Sequence, residues 1–242
     1  MFLGLRRVKA WPPVGHVRFG HLRRLTPISD IFGTERGDPI DRYYIDDFLT
    51  RHAGVSEYAS GLISGRVIEI GESRYADRFG DRLALEQLDV LDVSPNNTRA
   101  TVIADLTDAP NIESDSYDCV ICTQTLLLIY DFRAALKTLH RITKPGGTVL
   151  LTVPGISRIC RPEMDLWGDY WRFTSLSARR AFEELFAPAE VTVEAYGNVL
   201  AAAASLYGLA AQDLRREELD ARDPNFEVLI AVRARKTDPA SD

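Results

Sequence analysis

Gly65-Arg66-Val67-Ile68-Glu69-Ile70-Gly71 decides the architecture. Its short apolar core, rich in β-branched residues, reads as a buried strand that stops at a glycine. Working outward, the same kind of run recurs. Leu88-Asp89-Val90-Leu91-Asp92-Val93 is a second strand, ended by Ser94-Pro95-Asn96-Asn97. Thr101 to Ala104 is a third, followed by Asp105, and Tyr117 to Thr123 a fourth. Phe132 to Ile142 carries Phe132, Ala135, Leu136, Leu139 and Ile142 on one helical face. Lys144-Pro145-Gly146-Gly147 stops that helix before a fifth strand, Thr148 to Val153. Near-continuous apolar strands alternating with helices indicate a parallel sheet covered on both faces. Only seven residues run from Asn96 to Val102, too few for a full helix between the second and third strands.

Upstream, residues 1–38 read as an irregular arm interrupted by Pro12, Pro13 and Pro27. Asp38-Pro39 then opens a helix, with Asp38 as N-cap and Ile40, Tyr43, Tyr44, Phe48 and Leu49 at helical spacing through Arg51. A second short helix is expected up to about Ile63. Downstream, Ser175 to Phe186 reads as a helix, with Val191 to Tyr196 and Phe226 to Ala234 as the last two strands. The organisation expected is an arm (1–38), a helical lid (39–64), a main domain (65–236) with a helical insertion at 197–225, and a disordered tail (237–242).

Composition bounds the rest. The chain has 242 residues, 45% of them hydrophobic, which is too apolar for a disordered chain and enough for one core. No apolar run reaches the roughly 18–20 residues that cross a bilayer; the longest, Val199 to Ala211, contains Ser205, Tyr207 and Gly208. Three cysteines give no disulfide framework, so a reducing cytoplasm is expected. Residues 1–29 hold Arg6, Arg7, Lys9, Arg18, Arg23 and Arg24 and no acid, leaving 23 basic against 35 acidic side chains elsewhere. Such an arm can seek nucleic acid, an anionic membrane or a phosphorylated substrate. Packing against its own acidic domain is the expectation here, with nucleic acid not expected as a partner. Homo-oligomerisation stays open.

In an open parallel sheet, ligands lie beyond the carboxyl ends of the strands where strand order reverses. The residues there are Glu69 and Gly71, Asp92, Asp105, and Thr123 with Gln124. Three acids at successive strand ends repel a phosphate and suit a ligand with an ammonium, ribose hydroxyls and an exocyclic amine. The cysteines of Cys119-Val120-Ile121-Cys122 fall on opposite faces of a strand and cannot share a metal. The four histidines offer no metal-ligand spacing, so no metal site is expected, and His140 reads as structural.

From Gly65 to Pro154 the chain resembles class I S-adenosylmethionine-dependent methyltransferases of the methyltransferase type 11 kind. The resemblance rests on Gly65 to Gly71, Val90-Leu91-Asp92-Val93-Ser94-Pro95, Ala104-Asp105-Leu106, Ser116 to Ile121 and His140 to Gly147, all in order. It implies a Rossmann-like, seven-stranded, mostly parallel α/β sheet with helices on both faces and an antiparallel last strand. It also implies S-adenosyl-L-methionine as cofactor and S-adenosyl-L-homocysteine as product. Glu69 would meet the methionine ammonium, directly or through water, and Gly71 would let the backbone approach. Asp92 would accept from the ribose hydroxyls, Asp105 from the adenine amine, and the Leu106 amide would face a ring nitrogen. Thr123 and Gln124 would line the floor at the departing methyl. From the lid, Arg42 would bind the methionine carboxylate and Tyr43 or Tyr44 would cover the sulfonium. The glycine-rich loop departs from the family, reading Gly71-Glu72-Ser73-Arg74-Tyr75.

Glu163 to Phe173 follows the fifth strand and combines aromatic faces, aspartates and an arginine. One reading makes Asp169, then Asp165, the base for a hydroxyl nucleophile, with Trp167, Tyr170, Trp171 and Arg172 holding a sugar. The other makes the aromatics loop anchors and pairs Asp169 with Arg172. Three stretches, 14–20, 39–44 and 167–174, together resemble bacterial methyltransferases associated with glycosyltransferases, which implies O-methylation of a saccharide or glycosylated small molecule. A nicotinamide-dependent Rossmann oxidoreductase, NAD or NADP using, is the alternative enzyme. An inert methyltransferase-like scaffold is the alternative of another class.

Overall fold

In the computed structural model, which describes residues 11–53 and 61–237, seven strands form one sheet. They are β1 (Gly65–Ile70), β2 (Leu85–Asp92), β3 (Val102–Ile103), β4 (Tyr117–Thr123), β5 (Thr143–Pro154), β6 (Val191–Tyr196) and β7 (Leu229–Arg235). Their spatial order is β3-β2-β1-β4-β5-β7-β6. The first five pair in parallel, and β7 lies antiparallel between β5 and β6. Strand order therefore reverses between β1 and β4, and the ends of those strands define where a ligand sits.

The helices are α1 (Ile40–Ala53), α2 (Arg74–Phe79), α3 (Phe132–Ile142), α4 (Arg161–Leu166), α5 (Ser175–Glu183), α6 (Val199–Leu206) and α7 (Arg216–Asp220). The sheet divides two apolar cores. One contains α3 and α5 residues with Ile68, Val120 and Cys122; the other contains α1 and α6 residues with Val67, Cys119 and Ile121. The two β4 cysteines thus face opposite cores, as strand alternation requires. All five apolar positions expected on the inner face of α3 are buried. His140 packs edge-on against Phe186 with ring centroids 4.8 Å apart, a structural role.

Several boundaries differ from expectation. The Lys144–Gly147 segment ends α3 but remains inside β5, because Gly146 N donates to Lys236 O (2.7 Å) and Lys236 N to Gly147 O (2.9 Å). Tertiary pairing with the end of β7 overrides the local turn signal. Strand β3 shrinks to two residues, and no helix separates it from β2. Asp38 does not cap α1: its carboxylate accepts from Gln212 Nε2 (2.8 Å), while Gln212 Oε1 accepts from its backbone N–H (2.9 Å). The short helix expected before Ile63 falls mainly on residues 54–60, outside the described residues, as does most of the 237–242 tail.

The arm has two parts. Residues 11–26 are exposed apart from half-buried Leu22, whose carbonyl accepts from Tyr207 Oη (2.7 Å); Arg18, Arg23 and Arg24 form no ion pair among the described residues, and Arg6, Arg7 and Lys9 lie outside them. From Ile28 onward the chain is held. Ile28 N donates to Tyr207 O (2.7 Å), and buried Ser29 accepts from Gly33 N and donates to Glu35. Arg36 pairs with Asp213 at 2.7 Å. The arm is thereby fastened to the 197–225 insertion, which contains α6 and α7.

Candidate functional site

Two adjoining cavities open at the carboxyl edge of β1, β2 and β4, sharing Ile70, Gly71 and Thr125. The first, about 440 Å³, is lined by polar groups including Thr34, Asp41, Arg42, Glu72, Thr123, Gln124, Arg158, Glu163 and Asp169. The second, about 570 Å³, is more apolar. Leu91, Val93, Leu106 and Ile129 form its walls, and Asp92 and Asp105 its carboxylates. Gly71 is the saddle between them. Its φ of +88° excludes ordinary side chains, and a Cβ there would project into open space.

The strand-end carboxylates occupy different environments. Glu69 is buried and lines neither cavity. Its oxygens accept from Tyr75 N (3.1 Å) and Ala76 N (2.7 Å), fixing the start of α2. Burial pushes this carboxyl up to about 7 despite the two amides, which favour its charge. Asp92 accepts from Ser94 N and Asn97 Nδ2, both at 2.7 Å. Asn97 Nδ2 also donates to Gly71 O (2.7 Å), so one amide ties the ends of β1 and β2 together. Asp105 is exposed beside the slot, with Oδ1 accepting from Thr107 N and Oγ1.

Sequence reasoning passed over Asn97, whose Pro95-Asn96-Asn97 stretch read only as a strand terminator. It also passed over Glu72 and Arg158. Gln124 sits in the left-handed region (φ +49°), and its buried Nε2 has no partner. Arg158 Cζ lies 3.9 Å from the Phe32 ring centroid, and its Nε is likewise buried without a partner. Arg42 lines the same cavity and donates to Tyr75 Oη (3.3 Å). Burial opposes its charge, but Asp41, Tyr75 and Glu72 raise its pKa. Unpartnered donors and a guanidinium in one cavity, and carboxylates around an apolar slot in the other, are the donor set that an amino acid joined to a nucleoside requires.

Other expected residues lie elsewhere. Tyr44 is buried, packed at a tilt against Tyr196, and donates to Leu219 O (3.1 Å); Tyr43 donates to Asp220 (2.6 Å). Neither lines a cavity, because α1 turns both rings toward α7 and the core. Asp165 is exposed on α4 and also lines neither. Asp169 reaches the first cavity, yet both its oxygens are held by Arg172, and Oδ2 also accepts from Cys160 N (3.1 Å). Burial raises its pKa, but Arg172 and that amide more than offset it, so the carboxyl stays below the usual range. Arg172 is consumed by this clamp and by the carbonyls of Ser157 and Arg158. Trp171 is an anchor, donating from Nε1 to Ile129 O and Tyr130 O (both 3.1 Å). Trp167 and Tyr170 line the second cavity, not the first.

Residues 68–151 match the family described as methyltransferase domain. No curated protein matches the chain significantly. Among solved structures, a chain from the Haloferax volcanii complex containing the Trm112 methyltransferase activator is 17% identical, with TM-score 0.54 over 88% of this chain and 96% of that one. An S-adenosylmethionine dependent methyltransferase from Mesorhizobium loti is 18% identical, with TM-score 0.51 over 79% and 98%. Haemonchus contortus phosphoethanolamine N-methyltransferase 2, in complex with S-adenosyl-L-methionine, is 16% identical, with TM-score 0.52 over 93% of this chain and 61% of that one. At such identities the structural likeness speaks for the fold alone. The domain match and the fold agree: residues 68–151 carry the methyltransferase domain pattern, on the Rossmann-like fold shared with these methyltransferases. No described helix is long and apolar enough to cross a membrane.

Proposed function

We propose that the chain is an S-adenosylmethionine-dependent methyltransferase whose acceptor is a saccharide or another polyhydroxylated small molecule, methylated on oxygen. The carrying observation is the pair of cavities meeting over Gly71, with Asp92 and Asp105 in one and Arg42, Glu72 and Gln124 in the other. When bound, the cofactor supplies an electrophilic methyl group on a sulfonium. Asp92 would accept from the ribose hydroxyls and Asp105 from the adenine amine. Arg42 would hold the methionine carboxylate, and Glu69 acts one layer back by fixing α2.

The remaining chemistry is alignment and removal of one hydroxyl proton. Thr34, Thr125, Ser157 and Ser205 give the first cavity a hydroxyl-rich lining that suits a sugar. Asp41 and Glu163 also line it and form no ion pair among the described residues, so either can take the proton that the clamped Asp169 cannot. The resemblance of 14–20, 39–44 and 167–174 to glycosyltransferase-associated methyltransferases supports the sugar assignment.

Calorimetry with S-adenosylhomocysteine and with NAD tests the cofactor, and methyl transfer to a panel of sugars tests the acceptor. Binding of NAD instead would favour an oxidoreductase. Cofactor binding without transfer to any hydroxyl, amine or carbon acceptor would favour an inert scaffold.

A further inference from the structure

We infer that Trp167, Tyr170 and Tyr130 form the outer wall of the adenosine slot, so that the segment after β5 grips the cofactor rather than the acceptor. This rests on the cofactor reading above. All three rings line the cavity that holds Asp92, Asp105 and Leu106. They remain 44%, 50% and 72% exposed, unlike the core aromatics Phe132 and Phe173. Exposed rings grouped beside an apolar slot gain by covering a ligand's flat face.

The wall is built in place. Tyr170 N donates to Leu127 O (2.8 Å), and Trp171 Nε1 pins the segment to the carbonyls of Ile129 and Tyr130. These partners follow β4; Ile129 and Tyr130 themselves line the slot, and Leu127 lines the first cavity. Tyr130 and Tyr170 meet edge to face with centroids 5.4 Å apart. Gly168, at φ +98°, makes this possible, since a Cβ there would run into the Tyr170 ring. The Asp169–Arg172 clamp holds the turn between Trp167 and Trp171. Glu163 and Asp169, on the same segment, face the first cavity, so the segment divides the two ligands.

The test is S-adenosylhomocysteine titration of the full chain by calorimetry and tryptophan fluorescence. Trp167→Ala and Tyr170→Ala should each weaken binding roughly five- to hundredfold, the range of single base-stacking losses. Trp167→Phe should bind within about threefold of the parent, as a stacking ring is kept, yet lose most of the ligand-induced quenching. Affinities within about twofold of the parent for both alanine variants would overturn the wall while leaving the cofactor reading intact. Failure of the parent chain to bind S-adenosylhomocysteine would overturn both.

Discussion

Arg172 Nη2 lies 3.0 Å from Asp169 Oδ2 while Nη1 engages Oδ1, and the Asp169 side chain has no exposed surface. A carboxylate held on both oxygens by a guanidinium is a structural clamp. It keeps its charge across the working pH range and gives a poor base for a hydroxyl proton.

Asp169→Asn is therefore expected to lower stability by roughly 1–3 kcal/mol while leaving measurable methyl transfer. The pair stabilises the fold above the ordinary aspartate pKa, and that contribution is lost as pH falls through the lowered folded value. Thermal melts at several pH values should show a constant gap between parent and variant from about pH 5 to 8, narrowing below about 4. An unchanged melting temperature with turnover down a hundredfold or more would instead make Asp169 the base.

Glu69 predicts a proton linkage of opposite sign. Its folded carboxyl, raised from 4.5 to about 7 by burial, keeps a proton that the unfolded chain releases. That contribution is complete below 4.5 and disappears as pH rises through about 7. A cation arriving nearby favours the charged form, so S-adenosylhomocysteine uptake near pH 6.5 should expel a fraction of a proton. Calorimetry in buffers of different ionisation enthalpy measures this. Glu69→Gln should abolish the release, and a parent chain that releases none would separate Glu69 from the ammonium.

Gly71→Ala places a methyl on the saddle between the cavities and forces a left-handed backbone. We expect a stability loss of about 1–2 kcal/mol, the left-handed cost, and at least about tenfold weaker cofactor binding, equivalent to 1.4 kcal/mol. Urea unfolding and calorimetry on the same preparation separate the two effects.

Asn97→Ala leaves Gly71 O and Asp92 Oδ2 without their shared donor, at a cost of about 1–2 kcal/mol. Because Asn97 acts on the ligand through Asp92, a double-mutant cycle with Asp92→Ala should be non-additive in cofactor affinity. Additive losses would show that the Asn97 bridge does not position Asp92.

Local pattern carried much of this architecture. The apolar runs of β1 and β4 and the inner face of α3 follow from periodicity, and the spacing of Gly71, Asp92 and Asp105 placed those residues at one sheet edge. Contacts distant in sequence were not legible. The direction of Tyr43 and Tyr44 depends on where α7 packs, and the extension of β5 back to Thr143 depends on β7. Arm residues Phe32 and Thr34 reach the first cavity only because Tyr207, Gln212 and Asp213 receive the arm. The Asp169–Arg172 pair was visible at three-residue spacing, but choosing between base and clamp required geometry.

The fastening of the arm to the 197–225 insertion has an evolutionary consequence. Phe32, Thr34 and Ser205, which line the first cavity, come from outside the segment spanning β1 to β5 that supplies the saddle and the slot's carboxylates, Asp92 and Asp105. Mutation can therefore remodel that lining, and with it the choice of methyl recipient, while the platform for the methyl donor stays untouched.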